Sequence, residues 1–141
     1  MKNPTLKKGY TTGVHSSFAF KNALESFIST SQPSSSITNK IDNDDLDVTK
    51  GCEITVTISD NLKDLVLNQI PHKPYILKSQ TNICKIYAGT GVGVVTKHGL
   101  KPPKDYPAIN PVPLEYLQEL FQKATIYKNN LTLFCAIKVT N

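Results

Sequence analysis

The chain has 141 residues, 39% of them hydrophobic, and a formal net charge of +5 from 16 cationic and 11 acidic side chains. That length suits one compact domain with a real core; no run approaches the ~18 apolar residues of a membrane span and no apolar stretch follows the basic start MKNPTLKK, so a cytoplasmic protein without membrane contact is expected. Every one of the 16 cations is lysine and there is no tryptophan, so the bidentate arginine contacts and indole stacking of sequence-specific nucleic-acid binding are missing. The lysines suit either a solvated face or a field that steers an anionic, polycarboxylate ligand.

In chain order, Thr11 or Thr12 can cap a helix over residues 12–29, with Val14, Phe18, Ala19, Ala23, Leu24, Phe27 and Ile28 recurring on one face. Its start, GYTTGVHSS, gathers Thr11, Thr12, Gly13 and His15 where free N–H groups favour an anion and disfavour a charged imidazole. The alternative for His15 is an ordinary residue at the core edge. Residues 29–40 open with STSQPSSS, too poor in apolar side chains to order themselves, and read as a mobile surface loop.

Next comes KIDNDDLDVTKG, with Asp42, Asp44, Asp45 and Asp47 close together and Thr49 just beyond. It fails the calcium-loop pattern, because Leu46 falls on a ligand position and Asp47 on the turn glycine. Crowded carboxylates repel, so they are either solvated or met by a cation or hydrogen-bond donor. The alternation of EITVTI, 53–58, predicts a strand, as do 83–88 and 131–139, whereas 60–80 fits a strand or a short helix.

The glycine run follows 83–88. Gly89, Gly91 and Gly93 lack the third position of the dinucleotide fingerprint and the later acidic residue, and no glycine precedes a Lys-Ser or Lys-Thr pair as a P-loop requires. What remains is either a ligand close to bared backbone N–H groups or a tightly turned strand edge. YPAINPVP then gives a stiff lead into a second helix capped by Asn110, with Leu114, Leu117, Phe121 and Ala124 as its buried stripe. Cys52, Cys84 and Cys135 sit in apolar or strand-like runs and read as core residues; neither they nor His72 and His98 have metal-ligand spacing. The order of elements predicts an α+β fold, a single domain over 1–141 with a mixed sheet of about four strands and two main helices.

Taken together and in this order, GYTTG, DNDDLDVTKGCEI, GTGVGVVTKHGL and PAINPVP resemble the N-terminal half of the cobalt-precorrin-5B C1-methyltransferases of anaerobic cobalamin biosynthesis, over most of residues 8–139. The resemblance implies methyl transfer from S-adenosylmethionine to C-1 of a cobalt corrinoid, the cobalt belonging to the substrate alone. It implies a substrate- or cofactor-binding set of Thr11, Thr12, Gly13, His15, Asp44, Asp45, Asp47, Thr49, Gly89, Gly91, Gly93, Thr96, Lys97 and Asn110, with no catalytic residue assigned. Lys97, His98 and the glycine N–H groups would face the macrocycle's carboxylates, and the aspartates the cofactor's ammonium, hydroxyls or sulfonium. His15 stands where the family has a small or thiol residue, and Asn43 and Leu46 replace a Gly and a Pro. The family's chain is more than twice as long, so the expectation is either a fragment of such an enzyme or a half-enzyme whose partner is a separately encoded C-terminal half. The competing expectation is a non-catalytic domain that binds an anionic tetrapyrrole or serves as a structural partner.

Overall fold

The computed structural model describes residues 12–39, 53–96, 104–109 and 111–140. Helix α1 is Thr12–Thr30, followed by strands β1 (Ser34–Asn39) and β2 (Glu53–Ser59), a 3-10 turn at Leu62–Asp64, β3 (Tyr75–Ser79), β4 (Asn82–Ala88), helix α2 (Pro111–Ala124) and β5 (Thr132–Thr140). The strands form one sheet in the order β1-β2-β5-β4-β3. β4 and β5 run parallel with α2 as their crossover, and the other neighbours are antiparallel. The fold is α+β as expected, with five strands rather than about four.

The additional strand is β1. Where composition suggests a loop over 29–40, α1 ends at Thr30, Ser31 turns the chain in the left-handed region at φ 57°, and the chain then pairs with β2 from Ser34↔Ile58 to Asn39↔Glu53. An edge strand of this kind is held by its backbone ladder and by hydroxyl contacts such as Ser35 Oγ to Thr57 Oγ1 at 2.8 Å, so it needs little apolar burial. The ambiguous stretch 60–80 resolves into the 3-10 turn, an irregular arm over 65–74, and β3.

Both helices cover one face of the sheet. Ile54, Val56 and Ile58 of β2, Leu133, Cys135 and Ile137 of β5, and Cys84, Ile86 and Ala88 of β4 are fully buried against Phe20, Leu24, Leu117 and Phe121. The α1 stripe is buried as expected at Ala19, Ala23, Leu24 and Phe27, with Ile28 partly buried, and differs at one position. Phe20 is buried in the core, while Phe18, roughly 160° round the helix from it at 100° per residue, is 54% exposed. In α2, Leu117 and Phe121 are buried and Leu114 and Ala124 partly so, as the spacing predicts.

Candidate ligand site at the C-terminal ends of the parallel strands

β4 ends at Ala88, and the glycine run continues alongside β5 rather than leaving it. The Gly89 N–H donates to the Ile137 carbonyl at 2.8 Å, and the Val139 N–H donates to the Thr90 carbonyl at 2.9 Å. A Cβ at residue 89 would stand 2.7 Å from the Ile137 oxygen. At Gly91, with φ +83°, it would collide with the Val139 oxygen. Two of the three glycines are therefore required by close approach of backbone to backbone. Gly93 is different: nothing lies within 4 Å of where its Cβ would be.

Past the glycines the chain folds back on itself. The Val95 N–H donates to the Tyr106 carbonyl at 3.0 Å, the Asp105 N–H to Val95 at 2.7 Å, and the Ala108 N–H to Gly93 at 2.9 Å, with Val94 and Pro107 bridged. Thr96 is exposed at the end of this ladder. The arm braces both limbs from the side. Leu67 bridges Gly89, the Asn68 N–H donates to Ala88 at 2.8 Å, and the Asn68 Nδ2 donates to Val92 at 2.9 Å. Farther along, the Lys73 N–H donates to the Asp105 carbonyl at 2.7 Å and the Tyr75 hydroxyl to the Pro107 carbonyl at 2.8 Å. The Tyr75 and Tyr106 rings lie 5.1 Å apart. Partial burial, then the neighbouring Tyr106, pushes the Tyr75 phenol from 10.0 up to about 12, so it is a hydrogen-bond donor at ordinary pH.

This construction stands at the end of the sheet to which the other motifs also lead. Glu53 at the start of β2 pairs with both Asn39 at the end of β1 and Thr140 at the end of β5, and Val139 joins Thr90. The connection between Asn39 and Glu53, which carries the acidic motif, thus leaves and returns at the glycine end. α2 begins there and ends at the far end, where the Asn82 Nδ2 donates to the Thr125 carbonyl. Ser17 and Lys21 of α1 face residues 116–123 of α2, and Leu24 and Glu25 face residues 120–124, so the two helices run in the same direction. Both helix N-termini, with their partial positive charge, consequently point to the glycine end.

Of the sequence-predicted site residues, the structure places Gly89, Gly91, Gly93 and Thr96 in this turn and the backbone of Thr12, Gly13 and His15 in the first turns of α1. Thr11, Asp44, Asp45, Asp47, Thr49, Lys97 and Asn110 lie outside the described residues, as do the side chains of Thr12 and His15. Sequence reasoning missed Asn68, His72 and Tyr75 of the bracing arm. Their signal is the two prolines of NQIPHKPY, which prevent a regular strand and leave side chains to bond the neighbouring backbone. Cys84 and Cys135 are free and fully buried, and burial pushes both thiols well up, so they serve as core residues rather than nucleophiles. No group of metal-ligating side chains exists among the described residues, and no helix among them is long and apolar enough to cross a membrane.

A family model described as CbiD matches residues 27–141. The chain is 30% identical over 140 residues to a cobalt-precorrin-5B C(1)-methyltransferase of Methanosarcina acetivorans, covering 84% of this chain and 35% of that protein. A protein of the same description from Alkaliphilus metalliredigens is 30% identical over 129 residues, 80% of this chain and 32% of its own. One from Methanococcus maripaludis is 31% identical over 106 residues, 75% of this chain and 26% of its own. The chain therefore spans about a quarter to a third of the length of these relatives. No solved structure matches.

Proposed function

The chain belongs to the CbiD family, and on that premise we propose that it takes part in S-adenosylmethionine-dependent methylation of C-1 of cobalt-precorrin-5B. The match over residues 27–141, together with relatives described as methyltransferases of that substrate, carries the reading. The geometry is in keeping with it. Ligands of open sheets gather outside the carboxyl ends of parallel strands, and this end of the sheet also receives two helix N-termini, which favour the carboxylates of an anionic macrocycle. In the transfer, the electron pair of C-1 attacks the methyl carbon, the carbon–sulfur bond breaks, and its electrons neutralise the sulfonium. The work left to the protein is alignment of the two partners and charge complementarity. Lysines near the turn would meet the macrocycle's acids, and Asp44, Asp45 and Asp47 the cofactor's cationic groups.

The second reading is a tetrapyrrole-binding domain that does no chemistry by itself. In either reading, the part of the relatives' length that this chain does not match is the natural complement of the site. The purified chain is incubated with S-adenosylmethionine and cobalt-precorrin-5B and followed by mass spectrometry. A product heavier by one methyl group supports the enzyme reading. Corrinoid binding without product supports the binding domain, and binding of neither ligand overturns both.

A further inference from the structure

The end of β4 is held by a residue outside the predicted binding set. β3 reaches only to the Tyr75↔Ile86 pair, and two residues further on the arm lines the edge instead, with Asn68 bonded to the Ala88 carbonyl and Leu67 bridging Gly89. His72 supplies the acceptor a strand would give the Ala88 N–H: its Nε2 accepts it at 3.0 Å, while its Nδ1 lies 2.8 Å from the Ile70 carbonyl. An amide N–H only donates and a carbonyl only accepts, so the partners fix the imidazole as the neutral tautomer with the proton on Nδ1. A proton on Nε2 would face the Ala88 N–H, and the two donors must separate. Ala88 is fully buried, so its amide would then have no partner on that side.

The neighbouring elements carry three further titratable groups. β4 presents Tyr87, whose ring meets the imidazole edge-on at 5.8 Å and whose phenol burial pushes up. The arm itself carries Lys73, and the 104–109 segment brings Asp105, whose backbone carbonyl binds the Lys73 N–H. Among the described residues, no ion pair to His72 is present.

We propose that His72 is a positioning residue: its neutral imidazole stands in for a strand partner at Ala88 and sets the glycine turn in place for ligand, so that acid loosens the turn. This rests on the reading above that residues following β4 form a ligand wall. The loosening itself is a property of the chain without ligand and is tested separately.

Hydrogen exchange of the intact chain is measured from about pH 8 to about pH 5, the range in which imidazoles titrate, after correction for intrinsic rates. The expected result is that protection over residues 88–92 falls roughly tenfold at the acid end, as for loss of one buried hydrogen bond, while β2 keeps its protection. His72→Gln, whose amide can accept from Ala88 and donate to Ile70 without titrating, is expected to remove the pH step. His72→Ala is expected to exchange fast in this segment at every pH. A step that survives in His72→Gln, or wild-type protection that does not change with pH, overturns the proposal. Calorimetry with S-adenosylmethionine and cobalt-precorrin-5B then separates the two ideas. A pH step without binding of either ligand leaves His72 as a brace of the turn and defeats the ligand-wall reading.

Discussion

Gly91 and Gly93, two residues apart in the same turn, are glycine for different reasons. At Gly91 the backbone is left-handed, φ +83°, and the Val139 carbonyl fills the space where a Cβ would stand. Gly91→Ala therefore combines backbone strain with a clash against β5 and is expected to destabilise by about 2 kcal/mol or more, whereas Gly93→Ala is expected to stay within about 0.5 kcal/mol. Urea denaturation of the two variants checks the contrast. If Gly93→Ala then impairs corrinoid binding while folding normally, the open space at that position is used by the ligand.

Tyr75 makes a pH-dependent contribution at the same scale. Its phenol is raised from 10.0 to about 12 in the fold, so the neutral form is favoured there. The stabilisation is fully present below pH 10 and is lost as pH rises through about 12. Tyr75→Phe is expected to cost about 1 kcal/mol near neutrality through loss of the hydrogen bond to Pro107, and to flatten the alkaline loss of stability. Melting curves of both proteins between pH 8 and 12 follow this, and an unchanged alkaline slope in the variant would assign the loss to other groups.

At the scale of elements, the far end of the sheet is locked by one buried side chain. Asn82 opens β4; its Nδ2 donates to the Lys128 carbonyl at 2.8 Å and its Oδ1 accepts the Leu131 N–H at 3.0 Å, tying the β3–β4 hairpin to the link between α2 and β5. Asn82→Ala strands a buried donor and acceptors at once and is expected to destabilise by about 2–3 kcal/mol without altering ligand binding at the opposite end. Chemical denaturation and calorimetry give the two readouts.

The elements differ in how plainly the sequence announces them. β2, β4 and β5 carry alternating apolar residues because they lie in the interior of the sheet, and α2 carries a clean stripe because its face is buried on the core. β1 is silent: an edge strand of Ser and Thr is fixed by pairing with β2, which no local pattern records. The burial of Phe20 in place of Phe18 on α1 has a similar cause. Phenylalanines at both positions satisfy a helical period, and only the packing against β2 and α2 chooses between them.

For the whole molecule, the site was legible as an ordered set of motifs but not as a place. Residues near 12, the acidic connection after Asn39, the glycine turn and the start of α2 are far apart in sequence, and the strand order together with two parallel helices brings their flanks to one end. The bracing arm shows only in the two prolines of NQIPHKPY, because Asn68, His72 and Tyr75 act by bonding backbone atoms, which leaves no spacing signature. Asp44→Ala and Asp45→Ala are expected to weaken ligand binding more than stability, since an unpaired carboxylate cluster is itself unfavourable. Variants that melt far below the parent and still bind normally would make the cluster structural.

The central claim, that ligand is received at the C-terminal ends of β4 and β5, is tested most directly by titrating isotope-labelled chain with cobalt-precorrin-5B and following amide shifts by NMR. The account predicts changes concentrated in residues 89–96 and 104–109, the first turns of both helices and the Glu53 and Thr140 ends of their strands. Changes centred instead on Asn82, Thr125 and residues 128–131, or on the groove between α1 and α2 at Phe18 and Tyr116, would contradict it.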